Sequence, residues 1–297
     1  RITQTMDEYV IEPNTKTMFP KERNGMTCVG CGSRVKYFIT FYAVATYIPK
    51  QPLENLRGKT PVEIQNYLLL KPDPNTKDHH KHDHTATSCT TSKPQPILCI
   101  RIVPYRSIPA EFYSNAIMDS LIPRLKFIMG TTKKQGINDN GNEEDDAFDF
   151  DEYILDLKQQ FRAFIHLDAE AGSIMEMTIE KSNDVDNENK HDLKMVFWSS
   201  MGSRGEINSK DFCRALCMVY YEGGSGLAIG DTGNRIDGNA FSTSTIVVEG
   251  QQGSECVSVD HRDNVMRGIL GVKDDNGSKA DADNRSYWGV SNFVKQG

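Results

Sequence analysis

The stretch GSRVKYFITFYAVATYIPK, Gly32–Lys50, decides the fold class of this chain. One arginine, Arg34, precedes a run in which aromatic and aliphatic residues alternate. Tyr42 and Val44 fall on one face of such a strand, whereas Ala43 and Ala45 fall on the other. Both faces are rather apolar, which predicts a central strand that is covered on both sides. The run also raises the question of whether Arg34 and Tyr42 project into a pocket.

Composition excludes several classes of protein. Of the 297 residues, 38% are hydrophobic and 25% are charged, as in a globular chain. The formal net charge of -7 argues against a nucleic-acid partner, because phosphate binding requires clustered lysine and arginine. The sequence contains no run of about 18 apolar residues, so we expect no membrane span. It begins at Arg1 rather than at a methionine, which fits an upstream targeting segment that was removed or left out, so no cellular compartment is predicted.

Seven cysteines are scattered along the chain, and we expect them to be mostly reduced. Cys28 and Cys31 form CVGC, which fits a redox pair or half of a zinc site, although a zinc site needs two further ligands at comparable spacing. The sequence contains no second CxxC pair, so we favour a glycine-rich turn over Gly30–Ser33 and predict neither a metal nor another cofactor. Cys213 and Cys217 lie four residues apart in a predicted helix and are expected in the core.

Three polar stretches interrupt the predicted elements. Residues 71–96 are rich in proline and histidine, residues 131–152 are acidic, and residues 223–253 are rich in glycine, serine and threonine. Such compositions bury too little apolar area to offset the entropy of ordering. We therefore predict one domain over residues 1–272 with three long loops, followed by a flexible tail over residues 273–297.

The remaining segments alternate irregularly between strand and helix patterns. Thr60, Pro61 and Glu63 mark a helix start, and Pro123 is expected to interrupt or kink a later helix. Strands are predicted over PILCIRIVPY, SIMEMTIEK and HDLKMVFWSS, and a last helix over SVDHRDNVMRGILGV. This order favours an α+β fold with a large, mainly antiparallel sheet and helices on one side.

Five blocks occur in the order found in chalcone isomerase-like proteins, which the chain resembles. They are EPNTKTMFP, the segment from Gly30 to Ile48, RIVPYRSIPAEFYSNAIMDSLIPRLK, GEINSKDFCRALCMVYYEG and SVDHRDNVMRGILGV. The resemblance implies an open-faced β-sandwich, in which a layer of helices covers the large sheet and the ligand cleft lies between them. Some members of this family close a chalcone to a flavanone, and others lack that activity and bind fatty acids, notably in plastids.

The resemblance also implies site residues. Arg34 and Tyr113 match the arginine and the helix tyrosine of the enzymes. Tyr42, Ser120 and Val219 depart from the threonine, the asparagine and the threonine or serine that the enzymes carry at those positions. Because the loss of one preorganised donor slows such chemistry about a hundredfold, efficient chalcone cyclisation is not expected.

Arg34 and Tyr42 are similar to the arginine and tyrosine that the fatty-acid-binding members keep. A guanidinium and a phenol can together hold a carboxylate. We therefore expect the cleft to bind a small apolar carboxylate without catalysis, with Tyr113, Ser120 and Val219 as further lining residues. The alternative is an intramolecular lyase that acts on a flavonoid-like enone through Arg34 and Tyr113. From the residues alone, Arg34 also fits an exposed strand end, and Tyr42 and Tyr113 also fit half-buried positions that only pack against their neighbours.

Overall fold

The computed structural model describes residues 8–36, 39–71, 94–135, 149–181, 193–222 and 259–271. The strands in these ranges are β1 (Tyr9–Ile11), β2 (Met18–Pro20), β3 (Glu22–Arg23), β4 (Met26–Lys36), β5 (Ile39–Pro49), β6 (Gln95–Pro104), β7 (Met175–Lys181), β8 (Leu193–Ser199) and β9 (Arg204–Asn208). The helices are α1 (Lys50–Leu56), α2 (Pro61–Leu68), α3 (Ala110–Gln135), α4 (Phe150–Phe164), α5 (Lys210–Tyr221) and α6 (Val259–Leu270). In this part of the chain, every helix is too short or too polar to cross a lipid bilayer.

The strands form a small and a large antiparallel sheet. β1 pairs with β2, and β3 to β9 form a seven-stranded sheet in which each strand is hydrogen-bonded to its neighbours in sequence order. The prediction of an α+β fold with a large antiparallel sheet is therefore confirmed.

The two faces of β5 pack against different partners. Tyr42, Val44 and Ile48 belong to a large apolar cluster that also contains buried side chains from all six described helices. Ala43 and Tyr47 belong to a smaller cluster that includes Phe19 of β2. The alternation predicted from the sequence thus places one face of β5 against the helices and the other against the β1–β2 pair.

The turn predicted at Gly30–Ser33 is wrong, because β4 runs through these residues from Met26 to Lys36. The glycines serve a different purpose. A Cβ on Gly30 would lie 2.4 Å from the backbone nitrogen of Val265 in α6. The missing side chain therefore lets α6 approach the strand, which is a tertiary requirement that resembles a turn signal in the sequence.

Most other predicted elements agree with the structure. Thr60 caps α2 in a capping box with Glu63, and Pro61 begins the helix. Pro123 lies inside α3, which continues through it rather than ending there. The predicted pair Cys213 and Cys217 is buried, and both are free thiols.

The predicted loop boundaries are too wide. β6 begins at Gln95, α3 extends to Gln135, and α4 begins at Phe150, so parts of the stretches 71–96 and 131–152 are regular structure. Residues 72–93, 136–148 and 223–253 of the predicted loops, and the predicted tail 273–297, lie outside the described residues. The single domain over residues 1–272 stays a prediction.

Candidate ligand site

Arg34 and Tyr42 lie directly opposite each other in the β4–β5 ladder. Residues opposite each other in an antiparallel pair project to the same face, with Cβ atoms about 5 Å apart. Tyr42 packs against the helix-side cluster, so this shared face is the one that the helices cover. Both side chains are half-buried and interact with other residues. The register of the ladder shifts between Arg34 and Val35, and the pairing then continues to Lys36.

Two further tyrosines lie beside Tyr42. Tyr113 of α3 is 3% exposed and Tyr220 of α5 is 1% exposed. Burial raises the pKa of Tyr113 well above its usual range, and the neighbouring Tyr42 raises it further. Burial likewise raises the pKa of Tyr220, with additional contributions from Tyr42 and Tyr113, and Tyr220 shares a hydrogen bond with Tyr42. Tyr113 and Tyr220 are therefore protonated at neutral pH, and their hydroxyls can act as hydrogen-bond donors.

The hydroxyl of Tyr113 is buried without a hydrogen-bond partner among the described residues. Buried phenol groups usually have such a partner, because an unsatisfied polar atom costs about 1 to 3 kcal/mol. An acceptor supplied from outside the chain would remove this cost. Tyr113 is therefore the group in this cluster that most clearly requires an additional acceptor.

A second polar group lies deeper on the same face of β5. The Thr46 hydroxyl is 2.7 Å from the hydroxyl of Tyr221 and 2.9 Å from Nε2 of His261. Burial lowers the pKa of His261 to about 3, so the imidazole is neutral at physiological pH. Sequence patterns did not reveal this network, because its members come from β5, α5 and α6 and meet only through tertiary packing.

The other two predicted site residues add no free donor. The Ser120 hydroxyl donates to the backbone carbonyl of Ala116 at 2.9 Å, which is a local bond within α3. Val219 is 2% exposed and contributes only apolar surface. The structure thus brings Arg34, Tyr42 and Tyr113 to one region, and it adds Tyr220, which the sequence analysis did not select.

The layer beneath Tyr42 is occupied by protein side chains. Tyr113, Val219 and Tyr220 are all buried in the helix-side cluster against which Tyr42 packs. A ligand that enters between sheet and helices therefore has to displace some of these side chains.

No protein-family model and no curated protein matches the chain. The fold and the site therefore define its class: an α+β protein with a tyrosine cluster under the helical layer and Arg34 at the edge of that cluster.

Proposed function

We propose that the chain binds a small apolar carboxylate, such as a fatty acid, whose head group is held by Arg34 and Tyr42. The observation that carries this proposal is the placement of Arg34 opposite Tyr42 on the helix-covered face of the sheet. A guanidinium offers paired donors that fit both carboxylate oxygens, and a phenol can supply a third.

Tyr113 supports the same assignment. Its buried hydroxyl lacks a hydrogen-bond partner among the described residues, and it lies beside Tyr42. A carboxylate oxygen in this position would satisfy it. The apolar remainder of the ligand would then lie against the face of β5 that carries Val44. There it would replace contacts that this face now makes with side chains of the helices.

The resemblance to chalcone isomerase-like proteins is consistent with this proposal. Fatty-acid-binding members of that family are similar in keeping an arginine and a strand tyrosine, as Arg34 and Tyr42 do here. A helix-covered seven-stranded sheet with a strand pair on its other face is compatible with the open-faced β-sandwich of the family. A plastid location is proposed by the same analogy alone.

The second candidate is an intramolecular lyase. It rests on Tyr113, whose unsatisfied hydroxyl could orient water at the ketone of a phenolic enone while Arg34 stabilises the phenolate. Ser120 and Val219 weaken this candidate, because the first donates within its own helix and the second has no polar atom. A rate with naringenin chalcone above the spontaneous background, lost in Arg34→Met, would favour the lyase.

Calorimetric titration of delipidated protein tests the binding proposal. Palmitate is expected to bind, whereas hexadecanol, which lacks the negative charge, is expected to bind about tenfold or more weakly. Arg34→Met should remove this preference, and Arg57→Met, which changes an exposed arginine in the turn after α1, should leave it unchanged. Equal affinity of the wild-type protein for palmitate and hexadecanol would show that no carboxylate site exists here.

A further inference from the structure

A cleft of about 470 Å³ has none of the clustered tyrosines, Tyr42, Tyr113 and Tyr220, in its lining. Its walls come from three distant parts of the chain: the loop between β1 and β2, the middle of β4, and the solvent side of α6. The polar and glycine residues among its lining are Glu12, Asn14, Gly32, Asp263, Asn264 and Arg267.

Two asparagines fix the walls of this cleft to β4. The amide nitrogen of Asn14 donates to the hydroxyl of Ser33 at 2.9 Å, and that of Asn264 donates to the backbone carbonyl of Cys31 at 2.8 Å. Because both amides turn a nitrogen toward the strand, each retains its carbonyl oxygen as an acceptor. The walls are therefore positioned before any ligand arrives, and the side-chain oxygens that they offer are acceptors.

The floor of the cleft depends on a residue without a side chain. A Cβ on Gly32 would lie 2.7 Å from the Cα atom of His261, so α6 lies directly against the strand at this point. This contact sets the distance between β4 and α6.

Glu12 is the buried acid of the cleft, with 0% of its surface exposed. Its Oε2 accepts hydrogen bonds from the backbone nitrogens of Asn14 (3.0 Å) and Thr15 (2.6 Å) and from the Thr15 hydroxyl (2.7 Å). Its Oε1 is buried and has no hydrogen-bond partner among the described residues. A buried carboxylate oxygen in this situation requires a donor, which water, an ion or a ligand can provide.

The lining carries three charged side chains, the acids Glu12 and Asp263 and the base Arg267. The Asp263 carboxylate already accepts two hydrogen bonds from Arg262, at 2.9 and 2.8 Å, so its charge is compensated. Arg267 is exposed and makes no hydrogen bond or ion pair with any residue that the structure describes. Among the charged groups of the lining, the Glu12 carboxylate and the Arg267 guanidinium thus form no ion pair with any residue that the structure describes, and Oε1 of Glu12 also has no hydrogen-bond donor there.

We propose that this cleft binds a small zwitterion whose ammonium group donates to Glu12 and to the amide oxygens of Asn14 and Asn264, while its carboxylate pairs with Arg267. A metal ion alone would leave Arg267 without a partner and close to a second positive charge, which disfavours it. A simple carboxylate anion has no donor and would leave Glu12 Oε1 unsatisfied. A ligand that carries both an ammonium and a carboxylate group gives Glu12 a donor and Arg267 a counterion. This inference is independent of the carboxylate site at Arg34.

Calorimetry with glycine, β-alanine and γ-aminobutyrate tests the proposal, with n-propylamine and butyrate as probes that carry one charged group each. At least one of the three amino acids should bind about tenfold or more tightly than either single-group probe. Glu12→Gln should abolish binding, and Arg267→Ala should reduce the affinity of the amino acid to that of the amine. Arg204→Ala, which changes an exposed arginine on β9, should have no effect.

Several results would overturn the proposal. The first is the absence of saturable binding of all three amino acids at millimolar concentrations. The second is an affinity that is unchanged in Arg267→Ala, a surface substitution that is expected to fold even if Glu12→Gln does not. The third is a high-resolution structure, determined with the amino acid present, in which Oε1 of Glu12 is satisfied by an ordered water alone.

Discussion

The carboxylate of Glu176 pairs with Arg101 across two neighbouring strands, with 3.2 Å between Oε1 and Nη1. Both side chains are nearly buried, at 10% and 12% exposure. Arg23 also pairs with this carboxylate, and its guanidinium lies 6.0 Å from the ring centre of Trp198. One acid therefore compensates two arginines on the face of the sheet that lies opposite the helices.

Glu176→Gln should lower the free energy of unfolding by about 3 kcal/mol, because it leaves buried guanidinium charge without a counterion. Urea denaturation monitored by circular dichroism measures this change. Glu22→Gln is the matched control, since Glu22 pairs with Lys50 at the surface (2.8 Å) and should contribute less than about 1 kcal/mol. Equal effects of the two substitutions would mean that the Glu176 group is not buried as described.

Gly30→Ala should destabilise the protein by about 1 to 3 kcal/mol, because the new methyl group meets the backbone of α6 at Val265. Thermal and urea unfolding measure the loss. Gly130→Ala is the control: beyond the local backbone of α3, no described atom lies within 4 Å of a Cβ at this position, so the substitution should stabilise α3 by about 0.5 to 1 kcal/mol. A neutral Gly30→Ala variant would contradict the direct contact between β4 and α6.

Stability should fall as the pH drops below about 6.5. The unfolded His261 binds a proton near its ordinary pKa of 6.5, whereas burial lowers the pKa in the folded protein to about 3. Between these values the unfolded state holds more protons, so stability rises with pH by up to about 1.4 kcal/mol per unit. The stability that His261 contributes is fully present above its pKa of 6.5 in the unfolded state.

The substitution His261→Gln should flatten the pH dependence of the unfolding free energy between about pH 6 and pH 4. His166→Gln is the comparison, because His166 is exposed and follows the end of α4. If both variants retain the same slope as the wild-type protein, His261 is not the group that titrates on unfolding.

Local sequence signals predicted much of the fold. Thr60, Pro61 and Glu63 predicted the start of α2, and the four-residue spacing of Cys213 and Cys217 predicted buried positions in α5. These features depend on neighbours within a few residues, so the chain carries them locally. Gly30 was misread because glycine has the same sequence signature in a turn and at a close contact between elements.

The candidate sites could be predicted only in part. Arg34 was selected because of the resemblance to chalcone isomerase-like proteins, whereas its pairing with Tyr42 depends on the register of β4 and β5. The bond between Thr46 and Tyr221 joins residues that are 175 positions apart, and the cleft at Glu12 requires α6 to dock on β4. No local pattern encodes such contacts, because they arise from the packing of whole elements.

Arg34 is proposed to hold a carboxylate, and palmitate labelled at its carboxyl carbon tests this proposal most directly. A nearby guanidinium lowers the pKa of a bound carboxyl group by about one unit or more. In a pH titration followed by carbon NMR, we expect the bound carboxyl to stay ionised to a lower pH in the wild-type protein than in Arg34→Met. Identical titration curves in the two proteins, with palmitate bound to both, would contradict the claim.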